Sequence, residues 1–385
     1  MSENPPASSG ASPEPVRTRV AVVFGGRSSE HAISCVTAAG VMAALDPERY
    51  QVVPVAITST GRWLLTDADP GRWTMADGRL PQVQEDDGVP VVLTQGTGQR
   101  RLLLVAEGQA SRVVAEVDVV FPLLHGPYGE DGTLQGLLEL SDTRYVGAGV
   151  LSSALSMDKH YMKAVLAAHG LPICRYVVVL PSDWERDPAA AREAVAALGY
   201  PVFVKPARAG SSMGITRVPS PELLDAAVEA AREHDPKVVV EASVTGREVE
   251  CGVMQDAAGG PALTSLPGEV EVVAGSGHEF YDFEAKYLDE AGVRLICPAD
   301  LPAEVTAEVR RLAARTFEVM ACEGLARVDV FVTADSAVVV NEINTMPGFT
   351  PQSMYPRMWE RSGVSYAELV DRLVRLALAR PVGLR

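Results

Sequence analysis

Two periods alternate along this chain. Runs of β-branched and aromatic residues at Arg19 to Phe24, Val52 to Ile57, Val117 to Leu124, Arg175 to Leu180, Pro201 to Pro206, Lys237 to Glu241 and Arg247 to Met254 read as strands. Between them apolar positions recur at helical spacing: Ile33, Val36, Val41, Ala44 and Leu45 on one face, then Thr133 to Leu140, Leu155 to His169 ended by Gly170 and Pro172, and Pro188 to Leu198. Strand, glycine loop and helix in succession predict an α/β fold that binds ligands at the carboxyl ends of its strands. Ser28 or Ser29 is expected to cap the first helix. The stretch 58–116 yields little, its Gly- and Asp-rich segments around 67–88 reading as loops.

The pattern is sharpest near the C-terminus, where Ala326 to Val332 and Ala337 to Gly348 alternate on either side of the turn Ala334-Asp335-Ser336. This predicts an antiparallel hairpin. An even-membered loop centred on Asp335 and Ser336 sets Asp329 opposite Glu342 and Arg327 opposite Asn344, all four on one face because side chains alternate with period two. Opposed carboxylates repel, and a bound cation reverses that sign. Two carboxylates and an amide oxygen are hard donors, suited to Mg²⁺ or Mn²⁺ that shares its shell with phosphate, and not to zinc.

Composition narrows the partners. The 385 residues are enough for two or three domains, with residues 1–17, rich in Pro, Ser, Ala and Gly, expected to form a disordered tail. With 34 basic against 50 acidic residues and a net charge of −16, neither nucleic acid nor an anionic membrane is an expected partner. The five cysteines are scattered without a C-x-x-C spacing, so neither a disulfide framework nor a zinc site is indicated. No apolar run reaches the ~20 residues of a membrane span. A soluble cytoplasmic protein is expected.

Three loops carry further candidate chemistry. Gly25-Gly26 after the first strand lets a ligand approach the backbone, with Glu30 in the next helical turn, where an acid also serves simply to stabilise the helix dipole. No G-x-G-x-x-G follows that strand, which weakens a dinucleotide reading. His125, Glu130 and Asp131 sit in a glycine-bounded loop that either lines a site or merely starts a helix. Lys205-Pro206 leads into Ala207 to Gly214, whose small residues, N–H groups and the hydroxyls of Ser211 and Ser212 suit polyphosphate without forming a Walker A motif. Glu241 and Glu248, acids at strand ends, have the chemistry to bind a ribose or an adenine amine.

Taken together, Gly25 to Glu30, His125 to Gly132, Lys205 through Ser212, Tyr281 to Tyr287 and Asn341 to Gly348 make the chain resemble the D-alanine:D-alanine ligases of the ATP-grasp superfamily, from about Arg19 to the C-terminus. The resemblance implies three α/β domains at 18–147, 148–241 and 242–385, with ATP between the last two. It implies ATP-dependent joining of two D-alanines through a D-alanyl phosphate, for peptidoglycan. By the same resemblance Lys159, Lys205, Ser212 and Lys286 approach the phosphates, Glu241 the adenine edge and Glu248 the ribose. Asp329, Glu342 and Asn344 would hold two Mg²⁺ or Mn²⁺ ions, and Arg327 with the Gly348 N–H would stabilise the oxyanion. Glu30 is expected at the ammonium of the first D-alanine, Ser353 with Met354 at the carboxylate of the second, and His125 among the substrate contacts. Tyr287 would join Ser211 and Glu30 in a latch, and a homodimer is implied. Ala207, Ala209, Ile343, Met346, Phe349, Pro351 and Gln352 depart from the better-known members and leave the ligand positions intact. A sister ligase using D-lactate or D-serine, and a catalytically silent nucleotide sensor, are the rival readings.

Overall fold

Strand β1 (Thr18–Gly25) is apolar almost without interruption because it is buried on both faces: from Val20 onward every residue is enclosed. It pairs in parallel with β2 (Tyr50–Ile57) on one side and β7 (Val119–Pro122) on the other, Val20 aligning with both Val52 and Val119. Beyond β7 lies β8 (Arg144–Tyr145), also parallel. Beyond β2 the sheet continues as an antiparallel meander of β3 (Trp63–Leu65), β4 (Val89–Leu93), β5 (Arg101–Leu104) and β6 (Arg112–Glu116), giving the order β6-β5-β4-β3-β2-β1-β7-β8. The stretch 58–116, from which little could be read, thus holds four strands, and its segment 67–88, expected as loop, connects β3 to β4. The computed structural model describes residues 17–75, 79–96, 98, 100–104, 111–273 and 292–383. Lys286 and Tyr287, like the N-terminal 1–16, lie outside them.

Helix α1 (His31–Ala44) follows β1, and α2 (Thr133–Leu140) follows β7. Neither serine caps α1: its N-cap is Glu30 without a side-chain bond to the helix, and the Ser28 hydroxyl instead accepts the Glu30 N–H at 3.3 Å. The single helix expected from Leu155 to His169 is two, α3 (Val150–Met157) and α4 (Lys159–Ala168). Asp158 divides them, because its extended backbone ends α3 while its carboxylate accepts the N–H groups of His160 and Tyr161 and so starts α4.

A second sheet, antiparallel, runs β11-β10-β12-β9, from β9 (Tyr176–Val179), β10 (Val202–Pro206), β11 (Thr216–Val218) and β12 (Val238–Ala242). Helices α5 (Pro181–Arg186), α6 (Pro188–Ala196) and α7 (Leu224–Arg232) accompany it. The third sheet contains β13 (Arg247–Met254), β14 (Leu263–Thr264), β15 (Gly268–Val272), β16 (Val293–Ile296), β17 (Leu325–Val332) and β18 (Val338–Asn344). Helix α8 (Ala303–Val319) packs on it through Val309, Leu312 and Phe317.

Packing crosses the expected divisions. The cut between 241 and 242 passes inside β12, since Ala242 pairs with Val202. Met162 and Leu166 of α4 lie in one core with Val249, Val328 and Phe317, so the apolar face of this helix packs with the third sheet, while its Lys163 reaches Glu241 of the second. Conversely α9 (Met354–Arg361) and α10 (Tyr366–Ala379) send Tyr355, Trp359, Leu369 and Leu373 into the core of the first sheet, against Val20, Val22 and Phe24. No helix among the described residues is long and apolar enough to cross a membrane.

Candidate active site

The loops after β1 and β7 leave the sheet side by side at its carboxyl edge, where α/β sheets collect ligands. Gly25 has φ +87° and a Cβ there would stand 2.3 Å from the Ile57 carbonyl oxygen, so only glycine fits the turn. It delivers Glu30, 7% exposed, into a cleft shared with the phosphate-type loop. The Glu30 carboxylate accepts the hydroxyl of Ser211 across the gap between the first and second sheets. A Cβ at Gly210 would come within 2.9 Å of Glu30 Oε2. The loop places Ser211 and Ser212 in left-handed backbone, φ 48° and 58°.

In the β7 loop the two expected roles divide between neighbours. Asp131 accepts the Thr133 N–H at 3.0 Å and the Thr133 hydroxyl at 2.6 Å, and is a helix-start residue. Glu130 turns inward: Oε2 accepts the Gly126 N–H at 2.7 Å and Oε1 the Met346 N–H at 2.9 Å, which ties the first sheet to the segment after β18. Burial, reinforced by the charge of Glu30, pushes its carboxyl up to about 8. His125 donates Nδ1–H to the Met346 carbonyl at 3.0 Å, and its Nε2, buried in the cavity wall, makes no hydrogen bond.

Lysines converge from α4 and β10. Lys159, first residue of α4, gives Nζ to the Ala209 carbonyl at 2.9 Å, and burial lowers its pKa. Lys205 donates to Glu241 Oε2 at 2.7 Å. The other oxygen of Glu241 takes Lys163 at 3.0 Å. Burial opposes ionisation of Glu241, yet Lys163 and Lys205 outweigh it and hold the carboxyl down at about 2. Sequence reading passed over Lys163; its signal was the four-residue spacing from Lys159, which puts both on one side of a helix.

The hairpin pairs as expected, Arg327 with Asn344 and Asp329 with Glu342, but not for the expected reason. Its loop is odd-membered: Val332 pairs with Val338, and the Thr333 N–H reaches the Ala337 carbonyl at 2.9 Å, leaving Ala334 to Ser336 in the turn. That register alone would set Asn341 against Asp329 and turn Glu342 to the other face. A β-bulge at Asn341, between the pairs Val330 with Val340 and Asp329 with Glu342, restores the alignment. Arg327 forks onto Asp329 with two bonds of 2.7 Å, and its Nε lies 3.3 Å from Glu250, an acid opposite Asp329 on β13 that had not been singled out. Asn344 donates Nδ2–H to Asp329 at 3.0 Å. Burial works against the Arg327 charge, but Asp329 and Glu250 prevail and raise its pKa well above the usual value.

Beyond β18, the Ser353 hydroxyl accepts the Thr350 N–H at 3.1 Å, so Ser353 begins α9 without a side-chain cap and Met354 opens the helix. Gly348 lies against it: a Cβ there would be 3.2 Å from Ser353 Oγ. Glu30, His125, Lys159, Ser211, Arg327 and Ser353 line one cavity of about 760 Å³. An adjoining cavity of about 300 Å³ is lined by Lys205, Glu241, Glu248, Phe203 and Asp329, and Ser212, Arg327 and Glu342 border both. Among the described residues no group of three or more His, Cys, Asp or Glu side chains forms a metal site alone. Any cation at this hairpin would therefore use Asp329, Glu342 and Asn344 together with oxygens of a bound ligand.

The chain matches the family models described as D-ala D-ala ligase N-terminus over residues 19–148 and D-ala D-ala ligase C-terminus over residues 165–375. It is 62% identical over 375 residues to the D-alanine–D-alanine ligase of Kineococcus radiotolerans, covering 96% of this chain and 99% of that protein. It is 56% identical to that of Pseudarthrobacter chlorophenolicus, with 96% of each covered. Among solved structures, the D-alanine-D-alanine ligase of Coxiella burnetii superposes with a TM-score of 0.79 at 34% identity, covering 94% of each chain. The VanG D-Ala:D-Ser ligase of Enterococcus faecalis superposes with a TM-score of 0.80 at 35% identity, covering 94% of this chain and 100% of that one.

Proposed function

The chain belongs to the D-alanine–D-alanine ligase family, and from that premise we propose how its own residues carry out the reaction. It is an ATP-grasp enzyme that joins two molecules of D-alanine at the expense of ATP, the dipeptide the family supplies for peptidoglycan. The observation that carries the assignment of roles is the contact of Glu30 with Ser211, which brings the first sheet's loop onto the phosphate-type loop beside the Arg327 hairpin.

Glu30 takes the ammonium group of the first D-alanine. The carboxylate oxygen of that D-alanine attacks the γ-phosphorus of ATP, the bond to the β-phosphate oxygen breaks and ADP leaves, giving a D-alanyl phosphate. Lys159, Lys205 and Ser212 hold the phosphate oxygens, and Glu241 and Glu248 the base and ribose. Ser353 and the Met354 N–H orient the second D-alanine, whose deprotonated amine attacks the acyl carbon. Arg327 and the Gly348 N–H stabilise the oxyanion, and phosphate departs as the amide forms. His125 completes the substrate contacts. Lys286 and Tyr287 belong to this reading through their motif alone.

Asp329, Glu342 and Asn344 suit two Mg²⁺ or Mn²⁺ ions because all their donors are hard oxygens, Arg327 already offsetting the charge of Asp329. When bound, the ions screen charge on the transferring phosphoryl group. A cytoplasmic homodimer is part of the same proposal, and light scattering at about twice 40.9 kDa tests the assembly.

Product analysis with ATP and equimolar D-alanine, D-serine and D-lactate tests the whole. D-alanyl-D-alanine with one phosphate per dipeptide is the expected result; D-alanyl-D-lactate as the main product overturns the acceptor. D-alanyl-D-serine as the main product would favour a second reading, supported by the likeness to the VanG ligase.

A further inference from the structure

Glu241 is held by two lysines that differ in one respect. Lys205 lines the smaller cavity, whereas Lys163 lines neither cavity and is fully buried. The ammonium of Lys163 is fixed from three sides: 3.0 Å from Glu241 Oε1, 3.3 Å from Cys174 Sγ and 6.0 Å from the centre of the Tyr176 ring. It is anchored to β9 and β12 and has no open space to turn into. Lys205, 2.7 Å from the other oxygen, has the cavity in front of it.

We propose that Lys163 is a positioning residue for the nucleotide, a fixed counter-ion that keeps the Glu241 carboxylate charged and in place when Lys205 leaves it for a polyphosphate. The inference rests on the reading of the smaller cavity as the nucleotide's. A carboxylate as enclosed as Glu241 does not stay ionised without a partner. Were Lys205 its sole counter-ion, one of two losses would follow. Lys205 would stay on Glu241 and not serve the phosphates, or it would leave and Glu241 would take up a proton. A protonated Glu241 is no longer a pure acceptor for the exocyclic amine of adenine, and its O–H donates equally well to a carbonyl at the same position. Lys163 thereby sets both nucleotide affinity and the preference for adenine over hypoxanthine.

The test uses full-length protein, calorimetric binding of ADP and IDP, and steady-state KM for ATP and D-alanine. Lys163→Met is expected to weaken ADP about tenfold, or about 1.4 kcal/mol. IDP is expected to change far less, and KM for D-alanine to stay at its wild-type value. Lys163→Arg recovers most of the ADP affinity, and in a Glu241→Gln background Lys163→Met has no further effect. Wild-type ADP affinity in Lys163→Met, or equal losses toward ADP, IDP and D-alanine, overturns the proposal. Should Lys163→Met not fold, the Lys163→Met/Glu241→Gln pair carries the test: an ADP-to-IDP ratio equal to that of Glu241→Gln alone supports the role, and a further fall overturns it. A Glu241→Gln enzyme that binds ADP normally removes the nucleotide reading itself, whereas weakened Glu241→Gln beside an unaffected Lys163→Met removes only the part assigned to Lys163.

Discussion

Glu130 carries a carboxyl pushed up to about 8, chiefly by burial, against about 4.3 for an unperturbed glutamate. Because the folded pKa is raised, the native state binds a proton that the unfolded chain has released. Between those two values stability therefore falls as pH rises, the loss being complete above the folded pKa. In Glu130→Gln this slope should vanish, leaving a constant offset from a disturbed backbone bond. Melting temperatures of both proteins from pH 5 to 9 check it: the gap should move in favour of glutamine as pH rises, and parallel curves would refute the buried acid. At Arg327 the argument is geometric. Lysine cannot reproduce a planar fork held by Asp329 and Glu250, so Arg327→Lys should lower kcat roughly 10²–10³-fold with ADP binding unchanged. Steady-state kinetics beside an ADP titration separates the two effects.

Short elements here depend on single polar residues. Helix α4, ten residues long, follows the N-cap Asp158, whose carboxylate caps two N–H groups and pairs with Lys237 just before β12. Asp158→Ala should cost about 1–2 kcal/mol, read from urea midpoints, and should raise KM for ATP because Lys159 is the first residue of the helix. Asp158→Asn, which keeps a cap acceptor, should lose less; equal losses would place the effect in the ion pair. In the β17–β18 hairpin the corresponding dependence is on one inserted residue, Asn341, since the odd-membered turn alone would carry Glu342 to the opposite face.

At the scale of the molecule, the three sheets are joined by helices that pack away from their sequence neighbours and by a few polar clamps. Arg380, at the end of α10, donates to the carbonyls of Gly147 at 2.7 Å and Tyr145 at 2.8 Å, lies 3.3 Å from Glu323 and stacks 4.4 Å over the Tyr145 ring. It thus ties the C-terminal helix to the end of the first sheet and to the segment before β17. Arg380→Ala strands two carbonyls and a packed ring, and should cost about 2–4 kcal/mol. A urea midpoint matching the wild type would contradict that clamp.

Strand runs such as β1 and β13, the glycine loops and the polar face of the hairpin were legible in the sequence. Their causes are local: a buried strand must be apolar, a turn at positive φ wants glycine, and alternation states which residues share a face. The meander of β3 to β6 was not legible, because its strands are short and mostly half-exposed, which blurs the period of two. Nor was the bulge at Asn341, which corrects an odd-membered loop without leaving a residue type that marks it. Lys163 and Glu250 were passed over, and the inward turn of Glu130 was not legible, for a common physical reason. Each owes its state to partners far along the chain, as Lys163 does to Glu241 and Glu130 to Met346. The sequence by itself determined which chemical groups the site contains. Which of them are paired, desolvated and locked in place was decided only when the tertiary structure brought distant segments together and shut water out.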